Sequence, residues 1–287
     1  MTPVTRPLLR YFGGKFQLRH WITSFIPEHK FYAEPFAGGA SILLSKPPAP
    51  NGEILNDLNA DVVNLFRVMQ DQTQADELQR KLDWTPFAKA ELELSREPTD
   101  DPVERARRML IRSFMGIEVA GCCGTNSGFR MGNVDLNRYE HVATDRRTFR
   151  NCGKDWDNWR SALGAIRERL AGVMIYERDA IEFIKLMNSK DCLLYVDPPY
   201  HIETRSKQHG GTRYQVEFTA EQHATLIQTL LECKSMVLLS GYPHESYDLL
   251  EAAGWKREDK DYRANMSERR RTECLWISPN AQKNQLL

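Results

Sequence analysis

The chain has 287 residues, of which 41% are hydrophobic and 27% are charged, and Lys plus Arg (39) equals Asp plus Glu (39). This composition is typical of a soluble globular protein and excludes a disordered, collagen-like or coiled-coil chain. The length suffices for about two domains. No apolar run approaches the ~20 residues of a membrane span, and the start lacks a signal-peptide core, so we expect a cytoplasmic protein with no membrane partner.

The six cysteines form neither a CxxC pair nor a Cys/His ladder at zinc spacing. Several lie in or beside apolar runs, where cysteine usually acts as a small hydrophobic residue. We therefore expect no disulfide framework and no metal site.

Short apolar runs that end in a polar or acidic residue predict the buried strands of a mostly parallel sheet. These runs cover residues 31–34, 54–57, 193–197 and 236–240, with a final strand at 274–277. Helical periodicity predicts helices at 60–70, 102–115, 162–170, 180–187, 219–233 and 244–253. The alternation of strands and helices favours an α/β fold of the doubly wound, Rossmann-like kind.

The stretch 74–171 interrupts this alternation. It contains one strong helix, then a glycine-rich segment at 116–137 and a polar run in which arginine is frequent. A region whose composition and periodicity differ from those of the α/β units on either side is typical of an inserted subdomain. We therefore expect residues 1–73 and 172–287 to form one domain and 74–171 a mainly helical and loop-rich second one. Arginine suits phosphates and guanine edges, although a solvated helix face explains the same charge.

A glycine-containing turn, EPFAGGAS, follows the first predicted strand. Gly38 and Gly39 allow close approach of a ligand, but the GxGxxG phosphate cradle is missing, which favours a ligand without pyrophosphate. Asp57 ends the second strand about 20 residues further on, as expected of an acid that holds ribose hydroxyls. The pattern predicts a nucleoside-like cofactor; a simple turn followed by a helix cap is the alternative.

The tetrapeptide Asp197-Pro198-Pro199-Tyr200 directly follows a predicted strand. The Asp197 carboxylate and the Pro198 carbonyl can accept the two N–H bonds of an exocyclic amine and so localise its lone pair for attack on a sulfonium methyl group. Prolines make the segment stiff, and Tyr200 offers an aromatic face for a base. A proline turn with a capping aspartate is the structural alternative.

Five motifs together resemble those of the Dam-like adenine-specific DNA N6-methyltransferases, in the same order and over nearly the whole chain. They are RYFGGK (10–15), EPFAGGAS (34–41), NDLN (56–59), RDA (178–180) and DPPY (197–200). The resemblance implies a Rossmann-like methyltransferase domain with an inserted target-recognition domain. It also implies methyl transfer from S-adenosyl-L-methionine to N6 of an adenine flipped out of double-stranded DNA. It leaves the oligomeric state open.

The resemblance also implies site residues. Those for catalysis are Asp197, Pro198 and Tyr200. Those for S-adenosyl-L-methionine are Tyr11, Lys15, Glu34, Phe36, Gly38, Gly39, Asp57, Asp179 and Asp197. Two of these residues have a structural alternative. Asp179 stands where a helix N-cap is expected, and Lys15, which follows two glycines, would then be a solvated surface lysine.

The residues expected to bind DNA are Arg10, Asn126, Arg130, Arg205 and Arg213. Arg10 falls where relatives place a basic residue that faces the bases. The inserted region departs from the aromatic-Asn-Gly pattern of the family, so Asn126 and Arg130 either contact adenine and guanine edges or build a turn. The polar segment 203–215 is expected to be a lid over the flipped base or a surface loop. Residues 269–271 would contact phosphates or form a hairpin turn.

Two other functions stay open at this point. The same tetrapeptide would serve an enzyme that methylates adenine in RNA or another planar amine. A DNA-binding module without catalysis is a third possibility, but an intact Asp197-Pro198-Pro199-Tyr200 argues against it. No His or Cys is placed as a nucleophile, and direct methyl transfer to nitrogen needs no covalent enzyme intermediate.

Overall fold

The computed structural model describes residues 2–11, 13–116, 128–130, 151–204, 218–263 and 270–283. The chain forms two compact units. Unit 1 combines Met1–Phe12 with Asn64–Ala171, and unit 2 combines Gly13–Val63 with Gly172–Leu287.

A seven-stranded sheet crosses the described part of unit 2. Its strands are β1 (Phe31–Glu34), β2 (Gly52–Asn56), β3 (Met174–Tyr176), β4 (Cys192–Val196), β5 (Met236–Gly241), β6 (Lys256–Arg263) and β7 (Arg270–Ile277). They lie in the order β3-β2-β1-β4-β5-β7-β6. The first five in this order are parallel, whereas β7 runs antiparallel to both β5 and β6. The expected α/β class with a mostly parallel sheet is confirmed.

Eleven α-helices occur among the described residues. They are α1 (Arg19–Thr23), α2 (Ala60–Gln70), α3 (Gln72–Asp83), α4 (Lys89–Leu94), α5 (Pro102–Met115), α6 (Cys152–Arg160), α7 (Leu163–Leu170), α8 (Ala180–Leu186), α9 (Ala220–Leu231), α10 (Asp248–Ala252) and α11 (Pro279–Lys283). Within the described ranges, no helix has the length and apolar character needed to cross a lipid bilayer.

The central strands of unit 2 are buried on both faces, because every residue of β4 and of β5 is buried. This burial explains why their sequences are continuous apolar runs without polar alternation. Helices α8 and α9 supply Phe183, Ile184, Leu226 and Ile227 to the same core. The strand order reverses between β1 and β4, and ligands of open α/β sheets bind at such a point.

Unit 1 is built from helices around α5, which begins at a capping Asp101 followed by proline. Its apolar face meets the indoles of α6: the Phe114 ring lies 4.1 Å from that of Trp159, and Trp159 stacks on Trp156 at 5.2 Å. Both indole nitrogens find main-chain acceptors, since Trp156 donates to Thr85 O and Trp159 to Pro7 O. Helix α5 is therefore the centre of this unit's core.

The division into units differs from the expected one at two places. The expected boundary between 73 and 74 lies instead between 63 and 64, and residues 1–12 group with unit 1. Buried Leu8 and Leu9, and the Pro7 carbonyl that accepts from Trp159, explain why the N-terminal segment joins the helical unit. The role of that unit in target recognition stays a prediction.

The sequence-based assignment missed two strands, β3 and β6, the short helices α1 and α11, and three helices of unit 1. Residues 256–263 read KREDKDYR, a charged sequence with no apolar alternation, because β6 is an edge strand whose side chains at 256–262 are exposed or half-buried. Helix α3 buries only Ala75, Leu78 and Leu82, which is too few apolar positions to stand out. The edge position of β6 and the shallow burial of α3 thus leave no apolar periodicity from which a strand or a helix could be predicted.

Candidate active site

Three acidic residues lie at the carboxyl ends of adjacent strands in unit 2. Glu34 ends β1, Asp57 follows β2 and Asp197 follows β4. Strands β2, β1 and β4 are neighbours in that order, and the switch point lies between the last two. The expected cofactor and catalytic acids therefore share one edge of the sheet.

Lys15 is buried at the centre of this edge, with 4% of its surface exposed. Its Nζ lies 2.9 Å from Asp197 Oδ1 and 3.6 Å from Glu273 Oε1, and it donates to the carbonyl of Gly13 at 2.6 Å. Gly13 has φ 72°, a conformation that favours glycine and brings its carbonyl back toward the lysine. The solvated alternative for Lys15 is therefore wrong in this structure.

Asp197 keeps 19% of its side chain exposed, although it lies deep in the edge of the sheet. Burial raises the pKa of its carboxyl, and the neighbouring Lys15 ammonium opposes that rise. The following Pro198 is buried. The Asp197 carboxylate and the stiff main chain at Pro198 are thus adjacent, and the Lys15 ammonium favours the ionised form of Asp197.

Tyr200 is held from three sides and is 6% exposed. Its hydroxyl donates to Glu273 Oε1, the Lys15 Nζ lies 4.7 Å from its ring centre, and Tyr242 meets the ring edge-on at 4.6 Å. Edge-to-face pairs and cations above a ring are both favourable contacts. The ring position is therefore fixed.

Glu273 on β7 is the site residue that the sequence analysis missed. Its Oε1 accepts from Tyr200 and faces Lys15, while no donor among the described residues reaches its buried Oε2. Burial raises the pKa of this carboxyl to about 7, against the attraction of Lys15. One signal was available: a single acid begins the apolar run of the last strand, ECLWI.

The glycine turn after β1 is joined to the end of β2 by the Asp57 carboxylate. Gly38 N donates to Asp57 Oδ2 at 2.7 Å, and Asn59 N donates to Oδ1 at 2.9 Å. Gly38 and Ala40 both have φ 49°, so the turn includes one strained non-glycine residue. Burial raises the pKa of Asp57, against the main-chain hydrogen bonds. Gly38 and Asp57, paired in the sequence analysis by spacing alone, are in direct contact.

Glu34 lies below this turn and is 1% exposed. Its Oε1 accepts from Tyr32 Oη and from Leu43 N, both at 2.8 Å, and thereby anchors the chain after the turn. Burial raises the pKa of Glu34 to about 8, against these two hydrogen bonds. Its contact with a cofactor stays a prediction.

Two other expected cofactor residues also have structural contacts. The Phe36 ring meets Phe218 edge-on at 5.5 Å, and Gly39 is buried in the turn. Asn56, which the sequence analysis did not select, bonds both Pro35 O and the main chain of Arg178, and so links the loops after β1 and β3. These contacts fix the shape of the strand ends.

Asp179 caps α8, since its Oδ1 accepts from Ile181 N at 2.9 Å and from Glu182 N at 3.1 Å. The helix-cap alternative is thus present, and a role near a cofactor's adenine stays a prediction. Tyr11 is half-buried in unit 1, and its cofactor contact is likewise a prediction.

The segment after Tyr200 begins with a stack of three imidazoles. His201 lies 3.6 Å from the ring of His223 on α9 and 3.8 Å from that of His244, with nearly parallel planes. Its Nε2 is 3.0 Å from Ser246 Oγ. The stack fixes the chain immediately beyond the tetrapeptide, and nothing in the sequence pattern pointed to it.

Two of the residues expected to bind DNA are described, both in unit 1. The Arg10 guanidinium lies 4.9 Å above the Phe114 ring and 3.8 Å from Asp155 Oδ2. Arg130 bonds Met115 O through its main chain and Gly116 O through Nε. Asn126, Arg205 and Arg213 lie outside the described residues. None of these DNA contacts is tested by the structure.

Residues 270–271, expected in a hairpin turn or at phosphates, lie within β7. Arg271 Nη1 donates to Tyr242 Oη at 2.9 Å. Arg271 therefore bonds the tyrosine that packs against the Tyr200 ring. In the ranges that the structure describes, no group of three His, Cys, Asp or Glu side chains is arranged to hold a metal ion.

Comparison with known proteins shows what the chain is similar to. Residues 11–97 match the model of the D12 class N6 adenine-specific DNA methyltransferases. The chain is 26% identical over 204 residues to the Type II methyltransferase M1.LlaDCHI of Lactococcus lactis subsp. cremoris, covering 68% of this chain and 66% of the relative.

Two shorter matches agree with it. The chain is 35% identical over 65 residues to the DNA N-6-adenine-methyltransferase of Escherichia phage P1, covering 23% of this chain and 8% of the relative. It is 38% identical over 68 residues to the DNA adenine methylase of Haemophilus influenzae, covering 23% and 22%. The chain thus spans between 8% and 66% of the length of these curated relatives. These matches agree with the resemblance drawn from the motifs: the chain is similar to D12 class N6 adenine-specific DNA methyltransferases over residues 11–97 and to curated DNA methyltransferases over up to 68% of its length.

Proposed function

We propose that this chain is a site-specific DNA methyltransferase that transfers a methyl group from S-adenosyl-L-methionine to N6 of an adenine flipped out of double-stranded DNA. The observation that carries the proposal is the Asp197-Pro198-Pro199-Tyr200 segment at the carboxyl end of β4, beside the switch point, with Lys15 ion-paired to Asp197. Activity in the cytoplasm, as expected from the sequence, suits a DNA-modifying enzyme.

The end of β2 and the turn after β1 suit the nucleoside part of the cofactor. The Asp57 oxygens accept from the main-chain N–H groups of Gly38 and Asn59, and the remaining acceptor capacity of the carboxylate would serve a ribose hydroxyl. The left-handed Gly38 keeps side-chain bulk away from this acid. When bound, S-adenosyl-L-methionine supplies an electrophilic methyl group on its sulfonium sulfur. Glu34, Phe36, Gly39, Asp179 and Tyr11 complete the proposed cofactor set.

Asp197 and Pro198 activate the amine in this proposal. The lone pair of an exocyclic amine is delocalised into the purine ring and is a poor nucleophile. Hydrogen bonds from the two N–H groups to the Asp197 carboxylate and to the Pro198 carbonyl oppose that delocalisation, and they strengthen as positive charge develops on nitrogen. Lys15 favours the ionised form of Asp197 and fixes one of its oxygens.

Tyr200 orients the adenine in this account. Its hydroxyl is engaged by Glu273 and its ring is fixed by Tyr242, so it offers a preorganised aromatic surface. Base stacking on such a ring contributes about 1–3 kcal/mol and offsets part of the cost of flipping.

Unit 1 is proposed to recognise the target sequence. Arg10 and Arg130 are its described candidates, and Asn126 is proposed on sequence alone. Arg205 and Arg213 of unit 2 are also proposed to bind DNA, again on sequence alone. Arginine pairs with guanine and asparagine with adenine in the major groove. Double-stranded DNA is therefore the proposed partner.

Methyl-labelled cofactor offered separately with duplex DNA, RNA and protein tests the proposed function. We expect label in duplex DNA alone, recovered as N6-methyldeoxyadenosine after digestion to nucleosides. Sequencing of the modified DNA would then give the target site. Label confined to RNA or protein, or its appearance on cytosine, would refute the proposal.

A further inference from the structure

We propose that Glu273 is a positioning residue of this site, whose carboxylate holds the Tyr200 hydroxyl and the Lys15 ammonium in place while the amine is methylated. The inference rests on the proposed function, since it concerns the same tetrapeptide. It adds a residue from β7, the antiparallel strand beside β5, that none of the five sequence motifs contains.

The geometry around Lys15 carries the argument. An ammonium has three N–H donors, and three oxygens surround this one: Gly13 O at 2.6 Å, Asp197 Oδ1 at 2.9 Å and Glu273 Oε1 at 3.6 Å. The same Oε1 of Glu273 accepts from the Tyr200 hydroxyl. One atom of Glu273 therefore links the residue that orients Asp197 with the ring proposed to carry the base.

Stability of the fold does not explain an acid at this position. The residues that follow it, Cys274, Leu275, Trp276 and Ile277, are all fully buried, and the exposed fraction of Glu273 is also 0%. Its Oε2 is buried without a donor among the described residues. A buried charge is seldom more stabilising than an apolar side chain of similar size, and an unsatisfied buried oxygen calls for another reason.

The charged and titratable groups that act on Glu273 come from every element around it. They are Lys15, Asp197, Tyr200, Tyr195, Tyr247, Tyr262, Arg271 and Cys274. Lys15 and Arg271 are the two cations among them, and the nearer of these two to the reacting segment is Lys15.

The test uses Glu273→Gln and Glu273→Asp, with Glu258→Gln as the matched control on the neighbouring strand β6. Burial raises the pKa of Glu273 to about 7, so its charge changes within the working range of pH. We expect the wild-type single-turnover rate to fall as the pH drops through about 7, because protonation weakens the hold on Lys15 and on Tyr200.

In Glu273→Gln the amide cannot titrate. The rate should fall on the order of 10²-fold at pH 8, as expected for a misplaced reacting group, and the inflection near pH 7 should disappear. Glu273→Asp keeps the charge and should keep the inflection, with part of the rate. Glu258→Gln should match the wild type throughout, because Glu258 pairs with Lys256 away from the cluster.

Several results would overturn the inference. A purely structural residue would lower the rate equally at every pH and leave the inflection in place, and loss of the fold in both Glu273 variants would also identify it as structural. A Glu273→Gln enzyme with wild-type rates would exclude any role. Absence of N6-methylated adenine with the wild-type chain would instead refute the proposed function itself, and the inference with it.

Discussion

Two clusters of charged side chains, one in each unit, have opposite arrangements. In unit 1 the Glu104 carboxylate faces three cations: Arg107 by two 2.8 Å hydrogen bonds, Arg108 at 2.8 Å and Lys81 at 3.7 Å. Among the described residues of unit 2, Lys15 is paired with both carboxylates of the site, those of Asp197 and Glu273. Arg271 bonds Tyr242 and adds a further attraction on Glu273. The acid of the first cluster thus pairs with three cations, whereas the two acids of the second share one paired cation.

The pKa values follow this difference. Burial alone would raise the pKa of Glu104, but the hydrogen bonds from Arg107 and Arg108 outweigh it and lower that pKa to about 2. Burial raises the pKa of Asp197 and Glu273, and one lysine does not compensate. A saturated acid contributes to stability, whereas an unsaturated acid keeps acceptor capacity for a substrate. The predictions below test that distinction.

The largest effect is expected for Asp197→Ala. Removal of the acid takes away one of the two proposed acceptors of the amine, and we expect the methylation rate to fall about 10²–10³-fold or more. Binding of cofactor and DNA should be partly retained, as measured by equilibrium titration. Asp191→Ala, at the exposed beginning of the same strand, should keep the wild-type rate; equal losses in the two variants would contradict the assignment.

Glu104→Gln should act on stability and leave the chemistry intact. Arg107 and Arg108 would each lose a 2.8 Å ion pair with this acid, although Arg107 keeps its pair with Glu91. We expect a loss of about 2 kcal/mol, which lies between the values for exposed and for buried ion pairs. Because folding lowers the pKa of Glu104, its contribution is complete above about pH 4.5 and is lost as the pH falls toward about 2. Urea unfolding between pH 3 and 7 measures this change.

A large loss of methylation rate per folded molecule in Glu104→Gln would contradict the distinction between the two clusters. Glu93→Gln is the control, because its pair with Lys89 on α4 is exposed and should contribute almost nothing.

Glu34→Gln is expected to raise stability at alkaline pH. Folding raises the pKa of Glu34 to about 8, so ionisation of the folded protein costs free energy that the unfolded chain does not incur. The amide keeps the oxygen that accepts from Tyr32 and Leu43. At about 1.4 kcal/mol per unit of pKa shift, we expect a gain of up to a few kcal/mol above pH 8 that declines to zero below about pH 4.5, measured as Tm against pH.

Glu53→Gln sharpens the same experiment, because Glu53 is buried in the same unit but is paired with Lys46 at 2.6 Å. Removal of its charge would take from the buried Lys46 its ion pair with this acid and should lower Tm. If both variants lost stability at pH 8, ion pairing would not decide whether removal of a buried glutamate charge stabilises or destabilises the protein.

The smallest effect is expected for Lys30→Ala. Lys30 and Asp191 form a 3.1 Å ion pair with more than half of each side chain exposed. Such pairs contribute less than about 1 kcal/mol and are screened by salt. Thermal unfolding at low and high salt should show almost no difference from the wild type. A larger change would mean that exposed pairs matter as much as the buried clusters.

The sequence was sufficient for the strands that are buried on both faces. The apolar runs of β1, β2, β4 and β5 carry their own signal, and the acids that end β1 or follow β2 and β4 mark the edge of the sheet in the sequence itself. Spacing also paired Gly38 with Asp57, which are in hydrogen-bond contact.

The antiparallel end of the sheet could not be predicted in the same way. Strand β6 is exposed and charged, and Glu273 comes to Tyr200 from 73 residues further along the chain. No local pattern specifies that distant pairing. Lys15 raised the same difficulty, because a lysine after two glycines looks solvated when the partners that bury it lie far away in the sequence.

The central claim is that Asp197 and Pro198 together accept the two hydrogen bonds of the amine of a flipped adenine. A structure of this chain with target duplex and S-adenosylhomocysteine tests this claim most directly. We expect N6 of the extruded adenine within about 2.6–3.2 Å of both the Asp197 carboxylate and the Pro198 carbonyl oxygen. An extruded base whose N6 contacts neither oxygen, with the tetrapeptide closed off by other side chains, would contradict the account.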